Sequence, residues 1–222
     1  MTNTPSMDPK EAIDKLLEGN ERFVQGQLSH FERIGDDRRK ELTTGQAPFA
    51  GVLTCADSRT PPEHIFDAGL GELFVCRNAG NLIDQATLGS LEYAVAHTGC
   101  PVVAVMGHNK CGAVGAAVAK ARNPAMYETH NVDDIVMRLM PAVIATSLQA
   151  GVGDEEWVDA AAKRNVMDTC RKVVNQSSLL TRKVKEGQAA VVGLWYTLET
   201  GKVSVLVPYE KMREGLTNNI AA

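Results

Sequence analysis

Phe49-Ala50-Gly51-Val52-Leu53-Thr54-Cys55-Ala56-Asp57-Ser58-Arg59 and Val102-Val103-Ala104-Val105-Met106-Gly107-His108-Asn109-Lys110-Cys111-Gly112 share one design: an apolar run that stops at a group of chemically active side chains. Continuous apolar runs of about four to eight residues, rich in valine and bounded by turn residues, mark strands buried on both faces of a parallel sheet. Each group then sits where a strand ends and the chain turns toward a helix, the edge at which open α/β sheets bind ligands. Cys55, His108 and Cys111 offer two thiolates and an imidazole. That donor set suits zinc, at about 2.3 Å for sulfur and about 2.0–2.1 Å for nitrogen. Three protein ligands with a fourth position open is the catalytic rather than the structural pattern, and it points to a zinc hydrolase or hydratase.

Outward from these two strands the chain alternates strand and helix. The first strand covers about 48–55, and Pro61-Pro62-Glu63-His64 opens a short helix. A second strand over 72–76 leads into the Arg77-Asn78-Ala79-Gly80-Asn81 loop. A helix over about 84–98 turns Leu88, Leu91 and Val95 inward, and Gly99 and Pro101 stop it. The third strand, about 101–107, runs into a helix from about 111 built on small residues. Helical stretches near 131–149 and 155–186 follow, then a fourth strand over 189–196. Thr200-Gly201 turns the chain into an antiparallel edge strand ending at Val207. The expected fold is α/β: a mostly parallel β-sheet with an antiparallel edge strand, flanked by helices, plus an N-terminal helical arm.

The arm occupies 1–46 and an α/β zinc-binding catalytic domain 47–222, one domain overall. Asp8 reads as an N-cap, Pro9 as the first helical residue and Glu11 as the closing member of a capping box. Ile13, Leu16, Leu17, Asn20, Phe23 and Val24 form a narrow stripe at helical spacing, and Asp36 to Thr44 reads as a second short helix. The stripe precedes the first core strand, so it docks either on its own domain or on a partner.

Composition narrows the class. Of 222 residues 44% are hydrophobic and 23% charged, which excludes a disordered or fibrous chain. A net charge of −4 without blocks of like charge argues against nucleic acid as partner. No apolar run approaches the roughly 18 residues of a membrane span, and Met1-Thr2-Asn3-Thr4-Pro5 lacks a signal-peptide core. The expectation is a soluble cytoplasmic protein with no membrane partner. Five cysteines is an odd number without a disulfide-like spacing, which fits a reducing compartment. Cys76, Cys100 and Cys170 lie in apolar surroundings and read as inert buried thiols. His30, His64, His97 and His130 have no matching partners and read as surface or capping residues.

In extended backbone the spacing Cys-x-Asp-x-Arg puts thiol, carboxylate and guanidinium on one face. Asp57 and Arg59 would then reach both each other and a metal on Cys55. His108-x-x-Cys111 sets two donors about one helical turn apart at a helix start, and Gly107 and Gly112 would let the backbone bend around them. A lone His-x-x-Cys is weak evidence, and a lone buried cysteine at a strand end is usually packing. Here thiols and imidazole meet at two strand ends, beside an Asp/Arg pair that a closed structural site would not need.

The motifs Cys55-Ala56-Asp57-Ser58-Arg59 and Gly107-His108-x-x-Cys111-Gly112 resemble those of the β-class carbonic anhydrases. So do Gly71-Glu72-Leu73-Phe74-Val75, Arg77-Asn78-Ala79-Gly80-Asn81, Asn165-Val166 and the strand pair from Gly187 to Val207. The resemblance implies a Zn2+ enzyme that interconverts carbon dioxide and bicarbonate. Cys55, His108 and Cys111 would bind the metal, water or hydroxide would be the fourth ligand, and Asp57 and Arg59 would form the catalytic dyad. It also implies a homodimer, often doubled to a homotetramer, with the N-terminal helix reaching over its neighbour. In some members the aspartate replaces water on the metal at low pH, which would make Asp57 a fourth metal ligand in a closed state. Three departures stand out: Val52 replaces a tryptophan that helps one branch bind inhibitory bicarbonate, Thr60 replaces a commoner valine, and Ala113 replaces a frequent second glycine. The expected chemistry is attack of zinc-bound hydroxide on carbon dioxide, with Asp57 taking the hydroxide's hydrogen bond and Arg59 fixing the carboxylate. Two thiolates cancel the formal metal charge, so the water should be less acidic than the value of about 7 found with three histidines. The competing readings are a carbon disulfide or carbonyl sulfide hydrolase on the same scaffold and a non-catalytic zinc-binding protein.

Overall fold

A computed structural model describes residues 7–147 and 154–218. Its centre is a five-stranded sheet in the order β2-β1-β3-β4-β5, built from β1 (Ala50–Cys55), β2 (Leu73–Asn78), β3 (Val102–His108), β4 (Ala190–Thr197) and β5 (Lys202–Val207). The pairs β1–β2, β1–β3 and β3–β4 are parallel, and β4–β5 is antiparallel. Every residue of β1 and β3 is buried, as their unbroken apolar runs require. Alternate side chains serve two cores. Val52, Ala104, Met106 and Leu194 face one way with Ile65 and Phe66, and Leu53, Val103, Val105 and Val191 face the other.

The connections position the site. From β1 the chain passes through α3 (Pro62–Ile65) to β2 on one side, then crosses by α4 (Gln85–His97) to β3 on the other side of β1. From β3 it continues through α5 (Gly112–Arg122), α6 (His130–Ser147), α7 (Asp154–Asn175) and α8 (Ser178–Lys185) to β4. Adjacent parallel strands whose connections leave in opposite directions open a crevice at their carboxyl ends. Cys55 ends β1 and His108 ends β3.

The first helix of the arm is covered by its own chain, whereas the second, α2 (Asp36–Glu41), buries none of its residues. Helix α1 (Pro9–Gln25) starts where Asp8 accepts the Glu11 N–H at 2.9 Å and stops at Gly26, φ +68°. Ile13 and Leu16 are buried in the core cluster with Val52 and Met106, and Leu17 and Phe23 lean on it. Asn20 is buried because its amide donates to the Ile65 and Gly201 carbonyls and accepts from the Val203 N–H. A Cβ at Gly19 would lie 2.0 Å from the Phe66 carbonyl oxygen, so the helix backbone itself touches the segment after α3. The stripe therefore has its place on this sheet. Only its Val24 end is largely exposed.

Three expectations change. The single helix over 155–186 is two, because Ser177 takes extended backbone and accepts the Leu180 N–H as the N-cap of α8. A further helix, α9 (Tyr209–Asn218), follows β5 and leans Met212 and Leu216 on the second core. The end of the 131–149 stretch lies outside the described residues. His30 is not a surface residue but fully buried: its Nδ1 and backbone N–H both bond Asp67, and His64 Nδ1 lies 3.1 Å from its Nε2. His64, His97 and His130 are exposed as expected, with His97 stacked on Tyr93. Cys100 and Cys170 are buried, with thiols pushed up to about 12 by desolvation, and Cys76 is half-buried. Among the described residues, no helix is long and apolar enough to cross a membrane.

Asp67, at φ +46°, gathers donors from Arg22, Ser29 and His30. Burial pushes its carboxyl up, but those hydrogen bonds outweigh burial and hold it well below the usual carboxylate range. Its folded-state pKa is thus depressed, so its contribution is full above the unfolded value of about 3.9 and fades as pH falls below that. Asp67→Asn should cost about 3 kcal/mol at pH 7, the scale of a broken buried charge network. The gap to wild type in urea unfolding should shrink below about pH 4; an equal gap at pH 7 and pH 3 would remove the charge from the explanation.

Candidate metal centre

The ends of β1 and β3 bring three donors together. Cys55 Sγ, Cys111 Sγ and a ring nitrogen of His108 all lie within 4.8 Å of one another, and all three residues are buried. The two sulfurs are 4.0 Å apart. His108 Nδ1 lies 2.8 Å from the Asn109 carbonyl oxygen, which can only accept, so Nδ1 carries the ring hydrogen. Its Nε2 therefore presents a lone pair, and this buried atom has no hydrogen-bond partner. A buried acceptor left without a partner costs about 1–3 kcal/mol. Two thiols and such a nitrogen fit a tetrahedral metal ion with one position left over.

Charge at the sulfurs agrees with that fit. The hydrogen bond from Cys111 is the main cause that lowers Cys55 below an ordinary thiol, against burial, with further help from His108 and the Gly80 N–H 3.4 Å from the sulfur. Cys111 moves up by the same contact. At His108 burial disfavours the cation, and the neighbouring Cys55 sulfur outweighs it to raise the ring's basicity. A metal taking the site would displace the thiol protons.

Thr60 of the turn after β1, Arg77 of β2 and Asn165 of α7 stiffen this corner of the site. Arg77 donates to the Cys55 and Asp57 carbonyls at 3.0 and 2.6 Å. The buried Thr60 hydroxyl lies 3.2 Å from the Cys55 carbonyl and 3.0 Å from that of Asp57, contacts a valine here could not make. Asn165 on α7 donates to the Gly80 carbonyl at 2.8 Å, and Gly80 in turn donates to Cys55 Sγ. In the sequence Arg77 stands out only as part of a loop and a family motif, and Asn165 only within a family motif, because their partners lie 22 and 85 residues away.

Asp57 and Arg59 meet, though not as a face of extended strand. The strand ends at Cys55, and a tight turn brings the Arg59 N–H and Nε to Asp57 Oδ1, both at 2.9 Å, and Nη2 to Oδ2 at 2.8 Å. Arg59 is the leading cause that holds the Asp57 carboxyl well below the usual range, so it is ionised at neutral pH. Asp57 is not part of the three-residue donor group; its oxygens are engaged by Arg59. Arg59 Nη2 also reaches the Lys110 carbonyl at 3.3 Å.

The glycines of the second motif act differently from expectation. Gly107 sits in β3, and a Cβ there would lie 2.4 Å from the Val166 side chain, so it is needed for the approach of α7. Gly112 has open space around it. The bend falls on Lys110, at φ +53°, and Cys111 is the N-cap residue of α5 rather than one helical turn beyond His108.

A family model described as carbonic anhydrase matches residues 50–203, well over half of the chain. The chain belongs to the β-class carbonic anhydrases. Carbonic anhydrase 2 of Mycobacterium tuberculosis is 41% identical over 198 residues, covering 89% of this chain and 93% of that protein. The carbonic anhydrase of Mycolicibacterium smegmatis is 38% identical, covering 90% and 95%. In fold, the β-carbonic anhydrase CafA of Aspergillus fumigatus superposes with a TM-score of 0.71 at 24% identity, over 95% of this chain and 97% of that one. A tetrameric β-carbonic anhydrase of Sordaria macrospora gives 0.69 at 24% identity, over 88% and 97%. The enzyme family is thus shared along nearly the whole chain, and Val52 of this member lies fully buried in the sheet core.

Asn165→Ala should leave the Gly80 carbonyl without its buried donor and loosen the N–H that supports Cys55. The expected loss is about 1–3 kcal/mol of stability together with weaker metal retention. Unfolding midpoints and metal content after dialysis against chelator check it; unchanged values for both would show that the Gly80 loop stands without Asn165.

Proposed function

We propose that this β-carbonic anhydrase catalyses the reversible hydration of carbon dioxide to bicarbonate and a proton with zinc held by Cys55, His108 and Cys111. The observation that carries the reading is the unpartnered, buried Nε2 of His108 beside two sulfurs, at one crevice with the Asp57–Arg59 pair. Zinc bound there would supply a Lewis acid that makes a nucleophile of water near neutral pH.

The chain's own groups would orient the rest. An ionised carboxylate is an acceptor only, with about four lone-pair sites. Arg59 uses three of them by its N–H, Nε and Nη2, which leaves one free on Oδ2. Asp57 Oδ2 would accept a hydrogen from the attacking water, so that a lone pair of that water turns away from Asp57 toward carbon dioxide. Arg59 keeps the carboxylate ionised and its plane fixed. Because the pair spends no proton of its own near neutral pH, any rise in turnover between pH 6 and pH 9 would report the water, not Asp57.

Cys55→Ser, His108→Ala and Cys111→Ser should each lose most bound zinc and essentially all carbon dioxide hydration. Arg59→Ala should keep its zinc yet lose about two orders of magnitude or more in stopped-flow turnover, since orientation and electrostatics carry the step. Full zinc in all three ligand variants would sink the metal assignment, and wild-type turnover in Arg59→Ala would sink the dyad.

We further propose a homo-oligomer, dimer or tetramer. Among the described residues β2 pairs only with β1, and its Phe74 and Val75 are only partly buried, with Phe74 beside the exposed Tyr93. Unpaired, apolar edge strands are normally covered. Replacing Val75 and Tyr93 by lysine should shift sedimentation toward the monomer, and an unchanged mass at low concentration would exclude this edge as the contact.

A further inference from the structure

The peptide unit that joins Asn109 to Lys110 lies between two of the proposed ligands, and both of its polar ends are in use. Its carbonyl accepts from His108 Nδ1 at 2.8 Å, and its N–H donates to Asp159 Oδ1, on α7, at 2.9 Å. Lys110 holds φ +53°, a conformation that residues other than glycine rarely take and that persists only when the surroundings fix it. Rotating this peptide would relieve φ at Lys110 and at the same time swing the carbonyl off His108. The N–H to Asp159 bond opposes that rotation.

Flanking groups clamp the same turn. Asn109 is buried, with its amide donating to Glu199 Oε2 at 2.7 Å and accepting the Leu198 N–H at 2.8 Å. Glu199, from the turn between β4 and β5, also pairs with Lys110 Nζ at 2.5 Å. These contacts fix the side chains of Asn109 and Lys110; Asp159 holds the hydrogen of the peptide whose oxygen sets the histidine.

We propose that Asp159 is a positioning residue of the metal centre, acting through the Asn109–Lys110 peptide to keep His108 in the Nδ1–H form with Nε2 turned toward Cys55 and Cys111. The inference rests on the reading of Cys55, His108 and Cys111 as zinc ligands. A ligating histidine works best when its other nitrogen donates to a fixed acceptor, and losing such support typically costs about ten- to a hundredfold in metal affinity. Here the fixed acceptor is a backbone carbonyl, and the carboxylate stands one peptide behind it. The requirement is for an acceptor at Oδ1, not for charge.

The test uses the zinc-loaded full chain, with zinc affinity read by competition against a chromophoric chelator. Asp159→Ala should weaken zinc about ten- to a hundredfold. Asp159→Asn, which keeps an oxygen able to accept the Lys110 N–H, should restore affinity to within about threefold of wild type. In nitrogen-15 NMR the Nδ1–H signal of His108 should exchange faster with water in Asp159→Ala and slow again in Asp159→Asn. Wild-type zinc affinity in Asp159→Ala overturns the proposal, and so does an Asp159→Asn variant as weak as alanine. Should Asp159→Ala fail to fold, Asp159→Leu carries the test, because it fills similar space without offering the Lys110 N–H an acceptor. Wild-type zinc affinity in Asp159→Leu overturns the proposal equally. A Cys55→Ser control separates the two claims: zinc retained there defeats the ligand assignment itself, whereas zinc lost there but kept in Asp159→Ala defeats only the positioning role.

Discussion

Everything at this site depends on two parallel strands lying side by side and ending within one residue of each other. Thr54 pairs with Met106, so Cys55 and His108 emerge from neighbouring strands at the same edge of the sheet. The connections then diverge, α3 to one side and α5 to the other, and leave a crevice between them. Three soft or borderline donors are buried in that gap with one nitrogen unpartnered. Burying them without a ligand opposes folding, and the surrounding structure offsets this by satisfying the groups around them. Arg77, Thr60 and Asn165 supply donors to carbonyls that the turns would otherwise leave open.

The divide between what the sequence shows and what it hides follows the range of the interactions. Strands β1 and β3 were legible because burial on both faces demands unbroken apolar runs, a purely local signal. The donor set was legible because its residue types are rare together. His30 was misread because the group that buries it, Asp67, is 37 residues away and carries no mark of that role in its own neighbourhood. The break between α7 and α8 was missed although Ser177 is an ordinary N-cap residue, since the periodicity on both sides continues smoothly. Asp57 and Arg59 were paired correctly for a reason that fails: a turn, not a strand face, joins them.

Gly107 and Lys110 show the same lesson within one motif. Sequence reasoning assigns tight bends to glycine, because only glycine takes positive φ without strain. In this motif glycine answers to Val166 on α7, a tertiary neighbour, and lysine takes the bend. A strained lysine between two proposed ligand residues is held by partners from α7 and from the β4–β5 turn. The α/β scaffold supplies the strand ends, and long-range contacts supply the final orientation.

The dyad differs from the donors in exposure, and that difference bears on its role. Arg59 leaves about half of its side chain in water (52%), whereas Asp57 exposes only 16%. An ion pair so open contributes little to folding, and salt weakens it further. Stability therefore gives no reason for three hydrogen bonds from one residue to one carboxylate. Orientation does, because a carboxylate held at both oxygens cannot rotate, and its remaining lone pair points in one fixed direction. Carbon dioxide offers the enzyme little to grip: it is small, linear and apolar overall. On the proposed reading, selectivity and rate would then come from aiming the nucleophile rather than from holding the substrate. On that reading, a half-open arginine with a rigid carboxylate is what such an arrangement calls for.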